Sequence, residues 1–293
     1  MRKIIAYILF AAMLFLFSGC NSPEYAQVAA TTATVYEFAQ RLCSGTDISV
    51  AQLITENVSC LHDYTLQTKQ MRLIENAEAV LISGAGLETF LDDVLVGATK
   101  IIDASTGISL ICHENAHAHH HENNGHSHEN DSHIWLSPAN ARIMVQNIYD
   151  GLVVLYPQSE AILADNLGAL LADIDALEQY AHETLQSLST REIITFHDGF
   201  GYMAEAFDLQ ILHAIEEESG SEASAAELIE IAQLIMQHNL RCIFTESNGS
   251  TSAAQIISAE TNTHVYELDM AMSQRDYFAA MYYNIDTLKE ALE

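Results

Sequence analysis

The chain has 293 residues, of which 40 are acidic and 11 basic, for a formal charge of −29 at pH 7. No basic cluster survives beyond its first residues, which argues against nucleic acid or anionic lipid headgroups as partners. With only 3 Pro and 13 Gly, long loops are few and most of the chain is periodic, enough for two lobes or one large domain.

At the start, Arg2 and Lys3 precede an unbroken apolar run over residues 4–17, followed by Ser18-Gly19-Cys20. The run is short for a bilayer span and fits the apolar core of a secretory signal over residues 1–19. Small residues before Cys20 look like a bacterial lipobox, with Phe17 where Leu is usual. Cys20 is therefore expected to be lipidated and to anchor the chain outside the cytoplasm on the cell membrane, with residues 20–27 as a tether. Loss of Arg2 and Lys3 takes the formal charge from −29 to −31. Cys43, Cys60, Cys112 and Cys242 remain, show no CxxC spacing, and admit three full disulfide pairings.

Short apolar runs at 79–82, 100–102, 193–196, 209–212, 242–245 and 265–268 read as strands. Helical patterns lie near 33–43, 67–77, 138–155, 200–207, 224–238, 251–261 and 275–291. This alternation predicts an α/β fold with mainly parallel sheets flanked by helices. From 159 to 188 a helix-period stripe (Ile162, Leu163, Leu167, Leu170, Leu171, Ile174, Leu177, Leu185, Leu188) breaks the alternation. Thirty helical residues would run about 45 Å, and two shorter helices broken near Gly168 are the alternative. The expected plan is an N-terminal lobe over 28–157, a linking helix over 158–190 and a C-terminal lobe over 191–293. A rigid link of that kind implies a clamp whose lobes barely hinge.

Residues 113–133 hold eight of the 14 histidines: His113, His117, His119, His120, His121, His126, His128 and His133. Neutral imidazole is the commonest borderline-soft metal ligand, and a tract of this composition forms no core, so residues 113–132 read as a metal-binding loop. Ser137-Pro138 marks a helix start, Ser as N-cap and Pro at the first helical position, which puts His133 in the loop just before it. His197 follows the strand ending at Phe196. Ligands in parallel α/β folds bind outside the carboxyl ends of strands, so both histidines stand at the right edge. His62, in Cys60-Leu61-His62-Asp63-Tyr64, is the third in such a setting. His62 and His197 have an adjacent Asp and His133 has one two residues before it, groups suited to fixing the imidazole tautomer. His182, His213, His238 and His264 carry no motif, and Glu216, Glu217 and Glu218 with Ser219-Gly220 read as a flexible acidic loop.

With these motifs the chain resembles the extracytoplasmic solute-binding lipoproteins of zinc and manganese ABC importers, over nearly all of its mature length. The family's His-Asp-Tyr-like motif matches His62. Its Asp-x-His-x-Trp-x-x-Pro segment matches Asp131, His133, Trp135 and Pro138. Its strand-end Phe-His-Asp matches Phe196, His197 and Asp198. Phe244-Thr245-Glu246-Ser247 and the tail pattern from Tyr277 to Asn284 also look like family features. The resemblance implies two α/β lobes joined by one long helix, and metal ligands His62, His133 and His197. A fourth place would be filled by Asp269, by Glu246 or by water, although the usual carboxylate position falls nearer Ala271-Met272. Histidine as third ligand goes with zinc members, and three imidazoles suit borderline Zn²⁺ better than Mn²⁺. Cys60-Leu61 stands where Pro often precedes the first histidine, and Cys60 reads as a packing or disulfide residue.

The expected function is thus a lipid-anchored monomeric receptor, not an enzyme, that captures Zn²⁺ between its lobes and delivers it to the permease of an ABC importer. His117, His119, His120, His121, His126 and His128 would form a weaker secondary site. A manganese or iron receptor of the same fold, an adhesin built on it, and a zinc hydrolase are the alternatives; no HExxH is present for the last.

Overall fold

The computed structural model describes residues 25–56, 61, 64–95, 100–112, 130–216, 224–247, 252–272 and 275–293. The signal run, Cys20, Cys60, His62, the tract histidines from His113 to His128 and the acidic residues Glu217 and Glu218 lie outside these residues.

The first lobe comprises β1 (Val28–Ala30), α1 (Ala33–Leu42), β2 (Val50–Gln52), α2 (Thr68–Asn76), β3 (Ala79–Ile82), α3 (Asp92–Leu95), β4 (Lys100–Asp103) and α4 (Pro138–Leu155). The long α5 (Glu160–Leu185) follows. The second lobe comprises β5 (Glu192–His197), α6 (Gly201–Ala206), β6 (Gln210–Glu216), α7 (Ala225–His238), β7 (Cys242–Glu246), α8 (Ser252–Thr261), β8 (His264–Leu268) and α9 (Tyr277–Leu292). Each lobe holds a four-stranded sheet, ordered β2-β1-β3-β4 in the first and β6-β5-β7-β8 in the second, and every strand pairing is parallel. The expected α/β architecture with two parallel sheets and one long helix is what the molecule adopts.

Local chemistry accounts for the elements. Thr32 caps α1, accepting from the Val35 N–H, and Val35, Phe38, Ala39 and Leu42 bury one face of that helix. Ser137 caps α4 through the Asn140 N–H, with Pro138 at the first helical position, where its missing N–H removes no helical hydrogen bond. In α5, Leu163, Leu170, Ile174, Leu177, Ala181 and Leu185 recur at helical spacing and are buried. Gly168 does not break it, and the 26 residues run about 39 Å. The helix packs on α1 and α4 of the first lobe and on α9 of the second. Arg142 of α4 pairs with Asp175 and Arg41 of α1 with Asp173.

One hydrophobic core runs through both lobes, from Val28 and Phe38 through Trp135 and Leu177 to Phe244 and Tyr277. A smaller one (Ile194, Phe196, Ile231, Ile235, Ile243, Ile257) lies under α7 and α8. A shared core resists hinging, since close-packed interiors do not deform continuously. β1 and β2 escape the strand pattern because Val-Ala-Ala and Val-Ala-Gln are three-residue runs without bulky apolar repeats. Burial of Val28, Ala29 and Ala30 on all sides identifies a central strand only once the sheet is assembled. Ala26 and Gln27, assigned above to the tether, join the lobe: Ala26 is buried, and Gln27 accepts from the Glu78 and Ala79 N–H groups.

In both sheets the strand order reverses beside the first strand, between β1 and β3 and between β5 and β7. Such reversals open a crevice at the carboxyl ends of the strands, where α/β folds bind ligands.

Candidate metal centre

His197 is the last residue of β5 and sits at the second lobe's reversal. His133 comes from the first lobe, on the segment that enters the turn Ile134–Leu136 and then α4. Both are nearly buried, His133 at 2% and His197 at 6% exposure. Their rings meet edge to face, with centroids 5.0 Å apart, and the two Nε2 atoms stand 3.3 Å from each other.

The other ring nitrogens face carboxylates. Asp131 Oδ1 lies 2.9 Å from His133 Nδ1 and accepts the His133 main-chain N–H at 2.9 Å. An ionised carboxylate only accepts, so Nδ1 carries the proton and Nε2 presents its lone pair. His197 Nδ1 stands 3.7 Å from Glu246 Oε2, at the end of β7, beyond hydrogen-bond length but close enough for charge to act. With Nε2 unprotonated on both rings, two lone pairs would meet at one point. Ligands at about 2.0–2.1 Å from a tetrahedral ion stand roughly 3.3–3.4 Å apart, so the observed gap is the edge a zinc-sized ion would span.

Glycines permit this approach. A Cβ on Gly199 would stand 2.7 Å from both His133 Nδ1 and His197 Cδ2, and one on Gly201 would stand 2.8 Å from Asp131 Oδ2. Tyr202, buried on α6, accepts from the Ile111 N–H at 3.0 Å and donates to the Asp131 carbonyl at 3.1 Å. Burial raises its phenol pKa above the ordinary value, so it remains a donor.

Of the expected site residues, His133 and His197 are brought together, and Asp269 is held by partners of its own. Asp269 Oδ1 accepts from the Ala271 N–H at 2.8 Å and Oδ2 from Arg275 at 2.6 Å, while Asn284 hydrogen-bonds both main-chain groups of Asp269. Asp269 instead anchors a strap over residues 269–272. Trp135 donates from its indole to the Met270 carbonyl at 2.7 Å, and Thr34 donates to that of Ala271, whose φ is 56°. Tyr277 then donates to the Trp135 carbonyl at 3.0 Å. Among the described residues no group of three or more His, Cys, Asp or Glu forms a ligand set. His62 and the tract histidines lie outside those residues, but the tract's neck is described: Cys112 and Asn130 form an antiparallel bridge, and Asp131 donates its N–H to the Ile111 carbonyl. Cys43, Cys112 and Cys242 are free thiols, and burial pushes Cys43 up to about 12. Sequence reasoning missed Tyr202 and Arg275; the alternating glycines of Gly199-Phe200-Gly201 were the available signal for a tight approach.

The sequence model of the family described as "ZnuA: Zinc-uptake complex component A periplasmic" matches residues 28–291. A "Putative metal-binding protein" of Treponema pallidum is 26% identical over 308 residues, covering 99% of this chain and 97% of that one. The "Zinc-binding protein AdcA" of Streptococcus pyogenes serotype M3 is 27% identical over 287 residues, which is 90% of this chain and 55% of that protein. The chain thus spans about half the length of this second relative. A solved structure titled "Crystal structure of ZnuA" superposes with a TM-score of 0.79 at 26% identity, covering 92% of this chain and 100% of the other. The chain belongs to the ZnuA family of zinc-uptake components, the substrate-binding proteins of zinc ABC importers.

Proposed function

We propose that this chain is an extracytoplasmic receptor that captures Zn²⁺ between its lobes and hands it to the permease of an ABC importer. The carrying observation is the pair of buried Nε2 atoms 3.3 Å apart, one from each lobe. His62 would complete a three-imidazole set, a donor chemistry that favours Zn²⁺ over the harder Mn²⁺. The fourth place falls to water, to Glu246 or to Asp269, whose two oxygens each accept one hydrogen bond and keep a further lone pair. Cys20 would carry the lipid that keeps the receptor at the membrane. The histidines of residues 113–128 would form a weaker secondary store.

Titration calorimetry with Zn²⁺ and with Mn²⁺, on protein lacking residues 1–20, tests the reading. One tight zinc site, weaker manganese binding, and loss of the tight site in His197→Ala are expected. Unaltered zinc affinity in that variant would refute it.

A further inference from the structure

We infer that Tyr202 is a positioning residue for His133, setting from the second lobe the orientation of a ligand carried by the first; this rests on the zinc reading above. The Tyr202 hydroxyl closes a ring of three hydrogen bonds. The Ile111 N–H donates to Tyr202 Oη at 3.0 Å, Tyr202 donates to the Asp131 carbonyl at 3.1 Å, and the Asp131 N–H donates to the Ile111 carbonyl at 2.8 Å. Closed circuits of this kind polarise one another and hold each member in place.

What the circuit holds is Asp131, and Asp131 holds His133 twice, through Nδ1 and through the main-chain N–H. Asp131 Oδ2 is buried without a hydrogen-bond partner among the described residues and lies against Gly201, so sterics alone confine that side of the carboxylate. Tyr202 and Gly201 are neighbours on α6, which follows directly on the segment bearing His197 and Gly199. A single stretch of the second lobe, residues 197–202, therefore carries one imidazole and fixes the other. The distance between the two Nε2 atoms is set where Tyr202 meets the neck. Removing the hydroxyl leaves the Ile111 N–H and the Asp131 carbonyl short of one partner each. Asp131 can then rotate, and His133 follows it.

The test compares Tyr202→Phe with wild type in the full mature chain, using Co²⁺ and Zn²⁺ as the metal probes. Tyr156→Phe serves as control: it loses a phenol hydrogen bond too, donated to the Glu78 carboxylate at 3.0 Å, just before the start of β3. In Tyr202→Phe the visible spectrum of bound Co²⁺ should change shape and zinc dissociation should quicken about 10-fold, the low end for a group that supports a ligand from outside. Tyr156→Phe should match wild type in both. A wild-type spectrum and dissociation rate in Tyr202→Phe, or equal changes in both variants, would overturn the inference. Should Tyr202→Phe fail to fold, Ile111→Pro removes the donor from the same circuit while keeping the tyrosine side chain, and an unchanged spectrum there overturns it equally. Wild-type protein that binds neither metal through His197 would sink the zinc reading itself, a distinguishable result.

Discussion

The two strand-order reversals are built alike and used differently. In the first lobe the crevice between β1 and β3 is plugged from within by Glu88, 5% exposed. Its carboxylate accepts from the Thr31 hydroxyl at 2.6 Å, the Ser83 N–H at 2.7 Å and the Gly84 N–H at 3.0 Å. Gly84 has φ +84°, and a Cβ there would overlap Asp103 and Ser105, so this turn admits no side chain. In the second lobe the corresponding crevice holds His197 with Glu246 behind it, and its Nε2 is turned to the other lobe. The same topology thus supplies a self-satisfied brace on one side and a ligand on the other. What decides between them is whether the polar group at the strand ends finds its partners locally or across the cleft.

The sharpest way to break this contrast is to remove the ligand side. His197→Ala should weaken zinc binding by at least about 100-fold, the upper end of what loss of a mere supporting group costs, while the apo fold persists. Equilibrium dialysis against zinc together with circular dichroism reads both. Asp131→Asn, which degrades the acceptor for His133 Nδ1, should cost roughly 10–100-fold in affinity by the same assay. Glu88→Ala should do the reverse. It strands the Thr31 hydroxyl and two main-chain N–H groups, lowering unfolding stability by about 2–4 kcal/mol in urea, with zinc affinity of the folded protein held within a few fold. Zinc affinity lost in proportion would show that the brace is part of the centre.

The two crevices should also answer pH in opposite directions. Burial raises the Glu88 pKa from 4.5 to about 7, so across that window the folded chain holds a proton that the unfolded chain has shed. Its contribution to stability is full below about 4.5 and is lost as pH rises through about 7. Zinc capture needs neutral imidazoles and should strengthen as pH rises. Unfolding of wild type against Glu88→Gln from pH 4.5 to 7.5 measures the first; a difference that stays flat would mean the carboxylate is ionised throughout. The smallest effect belongs to the exposed pairs on the linking helix. Arg142→Ala should shift stability by no more than about 1 kcal/mol and leave zinc binding alone, because exposed ion pairs are screened by water.

Much of the molecule was readable residue by residue. Six of the eight strands declare themselves as apolar runs, and the stripe from Leu163 to Leu185 announces the long helix. Ser137-Pro138 fixes where α4 begins. His133 and His197 stand out through their local settings, Asp131 two positions before one and Asp198 directly after the other. These are short-range signals, carried by spacing, capping chemistry and the pairing of near neighbours. The three-residue strands β1 and β2 fall below that range.

What tertiary structure alone decided is which polar group meets which. Tyr202 reaches Ile111 across 91 positions, Glu88 reaches Thr31 across 57, and Trp135 finds the Met270 carbonyl across 135. Asp269 was eligible as a ligand through the family resemblance, and only the folded chain shows that its carboxylate meets Arg275, six residues on. The physical reason is common to all of these. Periodicity and caps are written in neighbouring residues, whereas a buried polar atom must be satisfied by whatever the folded chain brings within about 3 Å, and that choice exists only after both lobes have closed on one core.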